Sequence, residues 1–454
     1  MAHHTRQAVR RGLSLTAAAG LAAAALVTAP VQAQDTSPAA SGAAPRGAYA
    51  GLDKDLSGVT IKLATIGGQP YEAMYASLPI FEEATGAKVE IVFLGDGFQI
   101  DRYLKTNYAA GTVDFDVAWN HTSFMAQYVD FVEPLQSYFT ADELAAFSPS
   151  IIEAATIDGN LQLIPRHADI SALHYRTDLF GDDLPVPTTL QELYDASAKL
   201  VGEGKVKYGT QFAGKEEALS GRFYEVLFAN GGDYFDADMK PIFDSEAGVE
   251  SATWMRDLYA NKLIPADTPN LLWPEVAQNF CDGNVAAYLE WYGWYSMFQD
   301  PKSCPAVAGK FGLARGPVGS AGVHTGWAGA HAFSVTKASQ NKEAAVQLIK
   351  FLTSQEIQYE EAKLGVLPVR SDVAALIQED AAASPVQLDR DRLALAEVQV
   401  SEDFRTPPLF ADWISFTDSW SPTLQGIILG DLSVQDGLAK GVSDAQDMLD
   451  SLGY

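Results

Sequence analysis

Alternating strand and helix patterns from residue 59 onward predict an α/β fold, and three observations carry that expectation. Val59-Thr-Ile-Lys-Leu-Ala-Thr-Ile66, Lys88-Val-Glu-Ile-Val-Phe93 and Phe115-Asp-Val-Ala-Trp119 are short runs rich in β-branched and aromatic residues. Helical patterns separate them, the first carrying Met74, Leu78 and Phe81 and the second covering residues 101–110. Strand, helix and strand at these intervals build a parallel sheet through right-handed crossovers. Each run also ends in polar or glycine residues: Gly68-Gln69, Gly95-Asp96-Gly97 and Trp119-Asn120-His121. In open parallel sheets the ligand crevice lies at those carboxyl ends. A length of 454 residues, 47% of them hydrophobic, suits two domains better than one.

Upstream of the first strand, residues 1–33 contain Arg6, Arg10 and Arg11 and no acidic residue. An alanine-rich apolar run and the small-x-small pattern Val31-Gln-Ala33 follow, which is the order of a secretory signal peptide cut after Ala33. Arg10-Arg11-Gly-Leu-Ser-Leu15 also resembles a twin-arginine signal, with the Sec route left open. No cysteine follows the apolar run, so no lipid anchor is expected there, and no later stretch approaches about 18 apolar residues. The expected product is a soluble protein of the periplasm or exterior. Residues 34–57, rich in Ala, Ser, Pro and Gly and lacking periodicity, read as a flexible leader.

The formal net charge is −27, and −30 once the three arginines of residues 1–33 are gone. Such a surface repels phosphate backbones and anionic lipid, which argues against nucleic-acid partners.

Beyond the third strand, Asn160-Leu-Gln-Leu-Ile-Pro165 and Ile170-Ser-Ala-Leu-His-Tyr175 read as two further strands, with the polar Arg166-His167-Ala168-Asp169 between them. Thr189 is placed to cap a helix over residues 190–201. A helix over 223–230 ends in Gly231-Gly232, and Asp244-Ser245 opens another that runs to Tyr259. The run Val285 to Leu289 is strand-like and meets a burst of aromatics broken by one glycine: Glu290-Trp291-Tyr292-Gly293-Trp294-Tyr295. Aromatic faces at a strand's end suit stacking on flat, partly apolar solutes such as sugar rings, although a buried aromatic minicore gives the same pattern. Cys281 and Cys304 are the only cysteines, and in an exported chain they are expected to pair. A two-cysteine metal site would need two more ligands, for which His324 and His331 make a weak case.

The order of these pieces resembles the maltose/trehalose-type sugar-binding family of extracellular solute-binding proteins that serve ABC importers. The matching stretches include Asp114-Phe-Asp-Val-Ala-Trp119, Leu163-Ile-Pro165, Leu173-His-Tyr-Arg-Thr-Asp-Leu-Phe180 and Pro187-Thr-Thr-Leu-Gln-Glu-Leu193. Asn230-Gly-Gly232, Asp282-Gly-Asn-Val-Ala-Ala287, Phe333-Ser-Val335 and Gly365-Val-Leu-Pro-Val-Arg370 follow in the family's order. The resemblance runs from about residue 58 to 370 and is looser beyond.

It implies two α/β lobes with mostly parallel sheets and a ligand cleft between them. The implied division is 58–169 and 327–375 for the first lobe, 170–326 and 376–454 for the second. By the same resemblance Trp291, Trp327 (after Gly326) and Trp413 stack on sugar faces, while Arg370 and Asp169 hold hydroxyls. Trp413 reads equally well as one face of an amphipathic helix with Phe416 and Trp420. Arg166 departs from the apolar or small residues usual at its position. Trp119, Asn120, Gln69 and Asp96, at strand ends, and Trp294 and Glu290, in the aromatic burst, complete the candidate set.

No Gly-x-Ser-x-Gly elbow, Walker A loop, His-Glu-x-x-His or dinucleotide fingerprint occurs. The expectation is therefore a monomeric, non-enzymatic binding subunit without cofactor or metal, delivering a sugar to a membrane permease. The alternatives are the same fold with a polyol, sugar acid or glycerol phosphate, which Arg166 and Arg370 would suit, and a secreted carbohydrate-active enzyme.

Overall fold

A computed structural model describes residues 46–454. The expected signal peptide and the leader as far as residue 45 lie outside the described residues. Residues 46–57, expected as the end of the leader, are held in place. Arg46 pairs with Glu379, the Gly47 and Ala48 amides donate to Glu356 and Gln355, and Tyr49 stacks on Phe351 at 5.7 Å.

The strands are β1 (Thr60–Ile66), β2 (Lys88–Gly95), β3 (Val117–His121), β4 (Thr156–Ile157), β5 (Asn160–Leu161) and β6 (Ile164–Arg176). They continue with β7 (Ala287–Trp291), β8 (Phe311–Ala314), β9 (Ala328–Val335) and β10 (Leu367–Pro368). The first two crossovers make β2–β1–β3 parallel, as the sequence predicts. Elsewhere the ladders between named strands are antiparallel: β9 pairs with β3 and β6, β7, β8 and β10 with β6, and β4 with β5.

The strand expected over 160–165 divides: Asn160–Leu161 is β5, paired with β4, while Ile164 and Pro165 run on through the polar residues 166–169 into the strand expected over 170–175. β6 runs unbroken for 13 residues, pairing with β9 as far as Ile170 and with β7 and β8 from Ser171 on. One strand thus serves two sheets. Its polar middle, which made the sequence look interrupted, is where the strand passes the cleft.

Helix ends follow local chemistry. Asp96 caps the helix Gly97–Ala110 and forms a capping box with Gln99, and Thr189 does the same for Leu190–Gly202 with Glu192. β1 is buried over Ile61, Leu63, Ala64, Thr65 and Ile66, as expected of a strand covered on both faces. A second core cluster packs Val276, Phe280, Tyr288 and Phe298 around the Cys281–Cys304 disulfide, whose Cα atoms are 4.7 Å apart. Among the described residues no helix is long and apolar enough to cross a membrane.

Candidate functional site

A cavity of about 390 Å³ opens at the carboxyl ends of β1 and β3, beside the middle of β6. Strand alternation decides which side chains face it. On β3, Trp119 and His121 line the cavity and Asn120 does not; the Asn120 side chain turns back to accept from the His121 amide at 2.8 Å. On β6 it is His167 and Asp169, and on β9 Gly329 and His331, with Ala328 at the start of that strand. His121 and His167 both stand directly opposite His331, so three histidines form a row across three adjacent strands. The His167 and His331 rings stack at 4.2 Å, and His121 meets His331 edge-on at 5.1 Å. Gly329 makes this possible, since a Cβ there would lie 2.6 Å from His121 Nε2.

Asp169 stands against the row at His331 and His167. His331 Nε2 lies 2.6 Å and His167 Nε2 3.8 Å from its Oδ2. Burial works against the Asp169 carboxylate, but the neighbouring His331 and bonds from His167 and His331 outweigh it and hold the group well below the usual range. Burial pushes His121 and His167 down to about 3, so both rings are neutral at neutral pH.

Ligand atoms of His121, Asp169 and His331 lie within 4.8 Å of one another, a spacing that invites a zinc-class ion. The outer nitrogens argue otherwise. The Ser123 amide donates to His121 Nδ1 at 3.2 Å, Trp119 Nε1 to His331 Nδ1 at 3.2 Å, and Arg166 Nη1 lies 3.0 Å from His167 Nδ1. Because amide, indole and guanidinium nitrogens only donate, and the Tyr71 hydroxyl 2.5 Å from His331 Nδ1 can donate as well, a neutral ring carries its proton on Nε2. Metal-ligating histidines instead donate from the outer nitrogen. The row is built as a carboxylate among N–H donors.

The opposite wall is aromatic. Trp273 opens the helix Trp273–Cys281, Trp291 ends β7, and Trp327 immediately precedes β9. Their rings meet at 5.0 Å (Trp291 and Trp327), 5.3 Å (Trp273 and Trp291) and 5.6 Å (Trp273 and Trp327). Trp294, Asp96, Glu217 and Glu275 line the same cavity. Among the described residues no lysine or arginine lines it.

Arg166, Arg370, Gly326, Trp413 and Glu290 lie outside the cavity lining. Arg166 sits where the β6 register slips; it is fully buried, pairs with Glu361 and stacks 4.2 Å from the Tyr71 ring, outside the cavity lining. Arg370 precedes the helix Ser371–Ala383 and is occupied by Asp372 at 2.7 Å and the Phe147 ring at 5.3 Å. Those two partners hold it at the start of that helix, away from the cavity lining. Gly326 packs on Asp403, whose carbonyl would be 2.3 Å from a Cβ. Trp413 is a core residue against Tyr234 and Phe416 and reaches the cavity only through Glu217, to which its indole donates at 3.3 Å. Glu290 is fully buried behind Trp291. Gln69 begins the helix Gln69–Tyr75, next to the lining Gly68. Sequence reasoning missed Trp273, His121, Tyr71 and Glu217, and passed over His331 except as a weak metal ligand. The two-residue step from Trp119 to His121 was the available signal for one of them.

An aromatic wall facing a fixed carboxylate, at the crossing of two sheets, defines a binding cleft for a small solute. Residues 65–359 match the bacterial extracellular solute-binding protein family, and the chain belongs to it. It is the solute-binding component of an ABC transporter and has the two-lobed periplasmic-binding-protein fold.

Among relatives, y4oP of Sinorhizobium fredii, described as a probable amino-acid ABC transporter periplasmic-binding protein, is 29% identical over 347 residues, 71% of this chain and 75% of that one. The mannitol-binding protein of Pseudomonas aeruginosa is 26% identical over 238 residues, covering 50% and 52% of the two chains. Among solved structures, maltose-bound MalE3 of T. maritima superposes with a TM-score of 0.77 at 25% identity, covering 86% of this chain and 100% of that one. A solute-binding protein of Agrobacterium radiobacter K84 in complex with ribitol gives 0.77 at 24% identity, covering 87% and 100%.

Proposed function

We propose that this protein captures a neutral sugar or polyol between its tryptophan wall and Asp169, closes its lobes, and hands the solute to the permease of an ABC importer. The wall formed by Trp273, Trp291 and Trp327 carries the reading. Indole faces match the C–H faces of a sugar ring or polyol chain, and a carboxylate fixed by N–H donors is a preset acceptor for hydroxyls. The names of the relatives support it: maltose, ribitol and mannitol are the ligands given for three of them. An anionic ligand loses the support it had in the sequence, because Arg166 is paired with Glu361 and Arg370 with Asp372, both off the cavity wall.

The lobe boundaries we propose are those of the sequence, near residues 169, 326 and 375. The switch of β6 pairing after Ile170 supports the first, and the bridge between Trp327 and Arg405 the second. The protein acts in the periplasm after removal of residues 1–33, as a monomer and without chemical turnover.

Thermal-shift screening of the purified protein against maltose, D-mannitol, ribitol, galacturonate and a set of amino acids tests this, because a ligand that binds only the folded state raises its melting temperature. Stabilisation by a neutral sugar or polyol is expected. Stabilisation by galacturonate or an amino acid alone sinks the neutral-solute reading, and conversion of a bound sugar restores the enzyme alternative.

A further inference from the structure

We propose that Arg222 is the positioning residue of the cleft: from behind, its guanidinium holds Trp273, Trp291 and Trp327 in one arrangement, so that the indoles meet the solute as a preset wall. Only the identity of the stacked solute rests on the sugar-or-polyol reading.

Arg222 stands on the helix Glu216–Ala229 and is 3% exposed. Its guanidinium carbon lies 4.9 Å from the Trp291 ring centre, 5.2 Å from Trp273 and 5.5 Å from Trp327. One nitrogen, Nη1, donates to Glu225 Oε2 at 2.6 Å. Among the described residues Nε and Nη2 have no hydrogen-bond partner, and the nearer Glu290 oxygen is 3.9 Å from Nη2. A buried cation with two unanswered nitrogens needs other compensation, and three indole faces surround it. Cation–π attraction is strongest for a desolvated cation against indole, so rings and guanidinium hold each other.

Two further features tie this assembly to the passage between the sheets. Glu225 Oε1 accepts from the Ser171 hydroxyl and from the Trp327 amide at 3.2 Å, and the Ser171 amide donates to the Trp327 carbonyl at 2.9 Å. Ser171 is where β6 changes partners, so Arg222 and Glu225 join the wall to both crossing segments. Gly221 reserves the space, since a Cβ there would lie 2.1 Å from the Trp327 ring. Arg222 does not itself line the cavity, so it acts on the solute through the indoles.

The test begins with purified protein and no added solute. Urea unfolding of wild type, Trp291→Phe, Arg222→Met and the double variant forms a cycle, and a guanidinium–indole contact makes the single costs non-additive. The tryptophan region of the near-ultraviolet circular dichroism spectrum, which reads the mutual orientation of the indoles, changes in Arg222→Met and largely returns in Arg222→Lys. Maltose, D-mannitol and ribitol then serve as calorimetric probes. For whichever of them binds wild type, folded Arg222→Met loses about tenfold in affinity and Arg222→Lys recovers most of it. A purely structural role would lower the melting temperature and leave the affinity of folded protein unchanged. Additive costs with an unchanged spectrum overturn the proposal, as does full affinity in folded Arg222→Met. If Arg222→Met does not fold, Arg222→Gln takes its place in the cycle, in the spectrum and in calorimetry. If none of the three probes binds wild type, the sugar-or-polyol reading fails, while the solute-free cycle and spectrum still decide the role of Arg222.

Discussion

Glu290 shows how a single side chain beneath the cleft sets conditions for the whole. It is fully buried, and burial raises its carboxyl to about 8 despite the opposing pull of Arg222. In the unfolded chain the group titrates near 4.5, the ordinary carboxyl range. Between those two values the folded state keeps a proton that the unfolded state has lost, so rising pH lowers stability by up to about 1.4 kcal/mol per unit. Glu290→Gln removes this dependence. In urea unfolding at about pH 5 and about pH 8, the variant should gain on wild type by roughly 2–4 kcal/mol at the higher pH. Parallel profiles would mean that Glu290 is ionised in the fold. At the same scale, Trp291→Ala and Trp273→Ala should each weaken solute binding by about 1–3 kcal/mol through loss of a stacking face. Arg370→Ala should leave affinity unchanged, since Asp372 and Phe147 already occupy the guanidinium away from the cavity. Calorimetry on the three variants decides, and a large loss in Arg370→Ala alone would move the site.

Among the elements, the helix Trp273–Cys281 links stability to the cleft most directly. Its first residue belongs to the tryptophan wall and its last to the disulfide with Cys304, 23 positions on. Closing a loop of that length contributes roughly 3 kcal/mol in the chain-entropy model. The Cys281→Ser/Cys304→Ser variant should therefore melt at a lower temperature. Weaker binding by its folded fraction is also expected, because the far end of the Trp273 helix is no longer tied. Unchanged melting would show that the packing of Phe280, Tyr288 and Phe298 holds the helix unaided.

Across the whole molecule, β6 is the mechanical link: one strand belongs to both sheets, and the chain beside it at Trp327 bonds both Ser171 and Arg405. A strand shared by the two sheets suits rotation of one lobe about the other better than local rearrangement. Solution scattering should show a smaller radius of gyration when the solute found by screening is added. An identical curve with and without saturating solute would remove lobe closure from the proposed cycle.

The sequence by itself determined the α/β class, the parallel start of the first sheet, the pairing of the cysteines and the family. These rest on local periodicity, caps such as Asp96 and Thr189, and short motifs kept in order along the chain. Trp119 was legible as a cavity residue at the end of a strand and Trp291 in the aromatic burst that ends another, whereas Trp327 and Asp169 were legible through the family resemblance. Only the tertiary structure decided the rest. Trp273 lies 18 positions before Trp291 at the start of a helix, and nothing local distinguishes it from a core tryptophan. The histidine row exists because β3, β9 and β6 become neighbours and Gly329 leaves room for the ring of His121. Arg166 and Arg370 have the chemistry of ligand contacts, yet buried or neighbouring carboxylates claim them first. Composition shows which groups are present; only packing shows which of their partners are already taken.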